Sequence, residues 1–414
     1  MRKLLLVLLI SIVSVTGFAD SQKLPGFGDW DEVLRKAKGQ IVNWYIWGGS
    51  DSVNNFVDDF CGPVLKRKYG VKLNRVPVAD TADVVNQVIS EKKAGVGIGE
   101  GKVDLIWING ENFFSLRQAN LLYGPWSKAI PNAKLVDWDN PAVNLDFGHP
   151  VNGFESPWSS AQFHFLYDTA RIDESGLPRS YAELGKWIKK NPGKFTYIAP
   201  GPGAFMGTRF VKQLMFELSG SQQQWVGQFN KALYDKWAPK VWKMLNEWEP
   251  YLWRKGKTYP KSEADLMSLF ANSEVYYGFS HSPSGAAVYI NSGIVPPTAK
   301  GFAFYQYMIA DFNYVAIPYN SPNLAAALVT ANEILDPILQ SKQVQPQNGF
   351  CCGWGISTAR VNTSDGKAAI EEAKANFGTA AEDPKIMANA LVSDIAAEYQ
   401  FLIEKDWKNK VLVK

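Results

Sequence analysis

The 414-residue chain is 46% apolar and 20% charged, the usage of a packed globular protein, and its length fits two or three domains at roughly 100–200 residues each. With 43 Lys and Arg against 40 Asp and Glu the formal charge is +3, so no wholesale field draws it to nucleic acid or an anionic membrane, and a partner must be recognised locally. Disorder, collagen and coiled coil are excluded as the main architecture, while 15 Trp, 17 Tyr and 23 Phe exceed the needs of the core and point to a ring-lined ligand site.

Arg2 and Lys3 precede an apolar run, Leu4 to Val15, broken only by Ser11 and Ser14; Gly17-Phe18-Ala19 then sets small residues at minus three and minus one. This is the layout of a secretory signal peptide over residues 1–19, cut after Ala19. The run is shorter than the roughly 20 apolar residues that a membrane anchor takes. No Cys follows the cut to carry a lipid, so the expectation is a soluble, periplasmic chain, close to neutral once Arg2 and Lys3 are lost. In that compartment Cys61, Cys351 and Cys352 allow one bridge, from Cys61 to Cys351 or Cys352, or three free buried thiols. Without a CxxC or a nearby His they form no tetrahedral metal set.

Ile41 to Trp47 is a β-branched and aromatic run that ends at Gly48-Gly49, with Ser50-Asp51 next as helix caps. Val53, Phe56, Val57 and Phe60 then recur at helical spacing. Val71 to Val76 alternates as a strand, Asp80 caps a helix carrying Val84, Val85, Val88 and Ile89, and Gly95 stops it. Val103 to Ile108 is a third strand, which completes a βαβαβ unit. Further on the spacing predicts a strand at Phe163 to Tyr167, a helix at Ser180 to Lys190 with Glu183 placed for a capping box, and a strand at Phe195 to Ile198. A helix from about Thr208 to Leu218 follows Pro200-Gly201-Pro202-Gly203, and short strands fall at Val275 to Ser280 and Tyr314 to Ile317. The class is α/β, with two such domains.

In an open α/β sheet the ligand crevice lies beyond the carboxyl ends of the strands, at the point where connections diverge. The loops Trp47-Gly48-Gly49-Ser50 and Asn109-Gly110-Glu111-Asn112 qualify: glycine permits close backbone approach, and a helix start offers N–H donors. A tight turn without a ligand is the competing reading. The run Gly95-Val96-Gly97-Ile98-Gly99-Glu100-Gly101 precedes a strand and lacks GxGxxG spacing, so it reads as a connector; no nucleotide or other cofactor is implied.

Trp44 to Gly49, Tyr69-Gly70-Val71 and above all Asp104 to Phe113 resemble the extracellular solute-binding proteins of ABC importers, family 1-like and of the YnjB-type branch. The likeness continues through Pro157 to Asp168, Gly201 to Arg209, Phe279 to Gly285, and Asn313 to Pro318, as far as a helix ending near Gln340. It implies a two-lobed type II periplasmic-binding-protein fold, each lobe a mixed sheet flanked by helices, closing on a small solute. Crossovers would fall near Pro157 to Gln162 and Phe312 to Ala316. Residues 24–157 plus 315–358 would form lobe 1, and 158–314 plus 359–414 lobe 2. The implied partners are the solute, a membrane permease and, indirectly, its ATPase subunit, with the receptor itself a monomer.

On that plan Trp47, Trp158 and Tyr289 are candidates to stack on a ligand, since aromatic faces attract cations, although a ring at a strand end also serves a core. Glu111 is the leading acidic partner, with Asp51 and Glu155 behind it, or else it caps its helix. Phe205 and Thr208 face the cleft from lobe 2, and Arg209 binds a ligand carboxylate or an acid of its own lobe. Ser280, His281 and Ser282 form another contact loop, and Gly353-Trp354 reaches the cleft or packs at the hinge. The solute expected is a cationic or ring-bearing organic compound, with a carboxylate, an oxyanion or a sugar as alternatives. An exported hydrolase acting on glycans or esters is the competing class, but Gly278-Phe279-Ser280-His281-Ser282 lacks the final glycine of a GxSxG elbow.

Overall fold

The computed structural model describes residues 24–282, 284–345, 353–376 and 380–413. The expected signal peptide, Cys351 and Cys352 lie outside them. Cys61 carries a free, buried thiol, the second of its two expected states; it is fully enclosed by its core, and burial pushes its pKa up.

The βαβαβ unit forms as its periodicity predicts. Strand β1 (Ile41–Trp47) runs parallel to β2 (Lys72–Val78), with Ile41 opposite Lys72 and Trp47 opposite Val78, and on its other side to β3 (Leu105–Ile108). Val42, Trp44 and Ile46 point to one buried face. The Asp80 carboxylate accepts from Ala82 N–H at 2.9 Å, starting the helix Thr81–Lys93, which stops at Gly95 with φ +80°. Between β1 and β2 the helix is less regular than expected. A π segment, Phe56–Cys61, is inserted between Asp51–Asn55 and Gly62–Tyr69. Its wider turn shifts the stripe, so that Val53, Phe56 and Val57 are buried but Cys61, not Phe60, takes the next core position.

A hairpin of β4 (Leu145–Asp146) and β5 (His149–Pro150) follows. Strand β6 (Glu155–Gln162) then leads directly into β7 (His164–Asp168), the middle of an antiparallel sheet with β8 (Tyr277–Ser280) and β9 (Ala299–Phe302). Strand β10 (Met308–Ala316) returns beside β6 and pairs antiparallel with β3 through Tyr314 to Ala316. With β11 (Gly353–Trp354) the larger sheet has the order β11-β6-β10-β3-β1-β2, and β12 (Leu391–Ser393) pairs with the first residues of β10. The chain thus passes between the two sheets through two adjacent strands, β6 and β10.

The apolar side chains separate into matching halves. One core draws on Leu24 to Trp158 and Val315 to Ile370, with a smaller cluster around Val84, Ile106 and Phe113 on the other face of the sheet. The second draws on Phe163 to Ile309 and Met387 to Val411. Val361 and Ile370, expected with lobe 2, are in the first core, because the helix Ser364–Ala375 packs on Pro337–Val344.

Phe195 to Ile198 is buried but is not a strand. Its neighbours are irregular chain: Trp253 N–H donates to Phe195 O at 2.8 Å, and Ala199 N–H to Pro260 O at 2.9 Å, so no ladder forms. Ser180 does cap its helix, accepting from Glu183 N–H at 3.1 Å, but the Glu183 carboxylate accepts from Arg179 N–H and the reciprocal half of the box is missing. The next helix starts at Phe205, ahead of Thr208.

Candidate functional site

Because β2 and β3 flank β1, the carboxyl ends of β1 and β3 meet where the connections diverge. Trp47 ends β1 with 43% of its surface exposed. Its ring lies over Gly49, where an added Cβ would come within 2.3 Å of it, so only glycine allows the indole this position. Gly48 O accepts from the Asn54 side chain, and Ser50 and Ser52 hydroxyls share a 2.8 Å contact. Behind the lip the rings step inward edge to face. Trp47 meets Trp107 at 6.5 Å, Trp107 meets Trp158 at 5.2 Å, and Trp158 meets Trp44 at 5.1 Å. Trp158 is fully buried, which suits the core role that a ring at a strand end also serves.

At the end of β3, the Asn109 amide donates to Phe312 O at 2.8 Å and fastens the loop to β10. Gly110 has φ +53°, and its N–H donates to Asp146 Oδ2 at 2.5 Å. That helix start is therefore already capped by an acid from the β4–β5 hairpin, where the sequence led us to expect free donors. Glu111 follows, with Oε2 buried and without a hydrogen-bond partner among the described residues. Burial pushes its pKa up, against the pull of Lys212.

In the second half, Thr208, Arg209 and Lys212 are buried on the helix Phe205–Ser219. Thr208 Oγ1 lies 3.5 Å from Glu404 Oε1. Arg209 is ion-paired with Asp311 on β10 and lies 3.7 Å from Asp394; of its two expected roles it takes the pairing with a protein acid. Lys212 Nζ donates to Asp394 Oδ1 at 2.7 Å and sits 4.8 Å above the Phe147 ring. Phe147, from the hairpin of the first half, also meets Phe205 at 6.3 Å, so the halves touch here.

Ser280 and Ser282 are buried where β8 ends. Ser282 N–H donates to Ser280 Oγ at 3.3 Å, and the Ser282 and Ser284 hydroxyls are 2.9 Å apart, which builds a turn. His281 Nε2 lies 2.6 Å from Glu263 Oε2, and Tyr289 OH donates to the same carboxylate. Burial pushes Glu263 up, but the His281 charge and these hydrogen bonds outweigh it and hold the carboxyl below its ordinary range. His281 and Tyr289 are thus engaged with Glu263.

The fold sets Thr208 against Glu404, which lies within the field of Glu111, places Trp47, Gly48, Gly49, Ser50 and Asn109 along one edge, and sets Ser280, His281 and Ser282 on the edge of the other sheet. Asp51 is exposed at a helix start. Glu155 is not at an edge at all: it is fully buried in β6 with both carboxylate oxygens unpartnered among the described residues, and burial, reinforced by Asp146, raises its pKa well above the usual range. Trp354 pairs opposite Ser159 on β6, in keeping with the hinge-packing alternative. Sequence reasoning missed Trp107, Asp146, Lys212, Asp311, Asp394 and Glu404. Only Lys212 left a signal, standing one helical turn after Thr208.

A depression of about 780 Å³ lined by Tyr234, Trp242, Asp406 and Lys410 shares no residue with these loops. Among the described residues no group of His, Cys, Asp and Glu is set to hold a metal, and no helix is long and apolar enough to cross a membrane.

The sequence model of the family described as "Bacterial extracellular solute-binding protein" matches residues 63–369. Protein YnjB of Escherichia coli (strain K12) is 37% identical over 319 residues, 77% of this chain and 80% of that protein. Among solved structures, the periplasmic binding protein AfuA from Actinobacillus pleuropneumoniae, with fructose 6-phosphate bound, superposes with a TM-score of 0.59 at 13% identity over 91% of this chain and 99% of that one. A putative spermidine/putrescine ABC transporter from Listeria monocytogenes gives 0.59 at 13% identity over 90% and 99%. The fold is therefore the two-lobed type II arrangement of periplasmic binding proteins, and the chain belongs to the bacterial extracellular solute-binding protein family, the capture components of ABC importers.

Proposed function

We propose that this protein is exported through a cleaved signal peptide and works as a monomeric receptor, closing two lobes on a cationic or ring-bearing organic solute and delivering it to a membrane permease. The first lobe takes the core of residues 24–158 and 315–376, the second that of 159–314 and 380–413. One observation carries the reading. Two strands, β6 and β10, join two sheets whose edges bring Trp47 and Glu111 to one side and Thr208 and Glu404 to the other. Rotation about two adjacent strands is a hinge motion, and a solute drives it by binding the closed form more tightly than the open one.

The fold does not choose the solute, since one structural relative holds a sugar phosphate and another is described as a polyamine transporter. This chain's own charges favour a cation: Arg209 and Lys212 are taken by Asp311 and Asp394, which among the described residues leaves no cation outside an ion pair in the group around Glu111 to hold an anion. The exposed Trp47 face adds about 0.5–2 kcal/mol for a cation as water is excluded. The test is a metabolite screen read by intrinsic tryptophan fluorescence. One solute should give a saturable change at 1:1 stoichiometry; no reversible ligand from any chemical class would overturn the receptor reading.

A further inference from the structure

Where the halves meet, carboxylates outnumber cations. Lys212 is fully buried against Asp394, and Arg209 against Asp311 with Asp394 at 3.7 Å. Those two acids match the two cations before Glu111 and Glu404 are counted. Glu111 opens the helix Gly110–Gln118 of the first half, and Glu404 lies on Ala397–Trp407 of the second. Each feels the Lys212 charge, Glu404 feels Glu111, and Asp80 and Asp394 also face Glu111. Below them Asp146, 1% exposed and within the field of Glu111, Asp311 and Asp394, keeps Oδ1 without a hydrogen-bond partner among the described residues, as Glu111 keeps Oε2. Buried carboxylate oxygens left in this state take up either protons or a cation.

We infer that this acidic seam is the subsite for an ammonium group of the solute, held by Glu111 from one half and Glu404 from the other. The inference rests on the receptor reading and names the solute class for it. A primary ammonium carries three N–H donors and no acceptor, which suits Glu111 Oε2, an oxygen without a donor among the described residues, beside a Glu404 carboxylate that Thr208 only partly satisfies. Because the two carboxylates belong to different halves, the cation contacts both only when the halves meet, so its binding favours closure. With no solute the seam holds protons instead: burial, then the Glu111 charge, pushes Glu404 up to about 7. Ammonium and proton therefore compete.

The test is calorimetric titration of the mature protein at pH 5.5 and 7.5, with putrescine and spermidine as cationic probes and citrate and fructose 6-phosphate as anionic ones. The expected result is amine binding that is at least about tenfold weaker at pH 5.5. E111Q and E404Q should each weaken it at least about tenfold at pH 7.5 and flatten its pH dependence. The pH dependence of the unmodified protein is a readout that needs no variant, and E404D, which keeps the charge, should retain it. Amine binding that ignores both pH and E404Q overturns the subsite. So does a shared proton only, with no amine bound, or an anion bound equally by all variants; in that last case the receptor reading stands while the ammonium subsite falls. Failure of every solute class in the metabolite screen removes the receptor reading itself.

Discussion

At the residue scale two tryptophans that look alike in sequence occupy opposite environments: Trp158 is buried and Trp47 is exposed. Trp47 is exposed at the end of β1, so Trp47→Ala should leave denaturant stability within about 1 kcal/mol yet weaken solute binding about five- to tenfold, by fluorescence or calorimetric titration. Wild-type affinity in that variant would remove Trp47 from the site. Glu404 makes a second prediction. Its carboxyl is raised to about 7 from an ordinary 4.5, so between those values the folded state binds more protons than the unfolded one. Stability from this group therefore falls as pH rises through that window and levels off above it. Part of the carboxyl stays in water, and screening limits the effect to about 1–2 kcal/mol. Melting of the solute-free protein at pH 5.5 and 7.5 should show this loss, and E404Q should remove it; an equal pH response in the two proteins would contradict the assignment.

Individual residues were legible where their role follows from local chain. Glu111 stands just past a strand end, and Gly49 just past another, so position alone singled them out as candidates. Glu404, Asp394 and Asp146 carry no such mark, because what gives them a role is contact with residues distant in sequence. Trp158 stayed open between core and ligand for a related reason: aromatic content shows that rings abound, not which face of β6 they occupy.

At the scale of elements, alternation and capping made β1, β2 and the helix Thr81–Lys93 legible, since each needs only its own side-chain pattern and a cap. The β4–β5 hairpin was not, because two-residue strands have no periodicity to read, yet it supplies Asp146 to the start of one helix and Phe147 to the other half. The π segment Phe56–Cys61 and the irregular Phe195 to Ile198 stretch likewise depend on what packs beside them. Strand β6 joins the sheets through Trp158, wedged edge to face between Trp44 and Trp107. Trp158→Ala should cost about 3–5 kcal/mol in urea unfolding. A loss under about 1 kcal/mol would mean that the crossover does not depend on this ring.

At the scale of the whole molecule, the α/β class and the family were visible before the fold, while the way the halves divide the last part of the chain was not. Ser364–Ala375 joins the first core and Met387 to Val411 the second, a split that depends on which surface each helix covers. The returning C-terminal chain thereby brings Asp394 and Glu404 to the meeting of the halves.

Capture between the lobes requires one solute to touch both halves at once. Hydrogen exchange followed by mass spectrometry during a solute titration measures that directly. It should show protection of the peptides holding residues 47–50 and 109–111 together with those holding 205–212 and 400–407, all with one midpoint. Protection confined to a single half, or different midpoints for the two, would contradict capture between them.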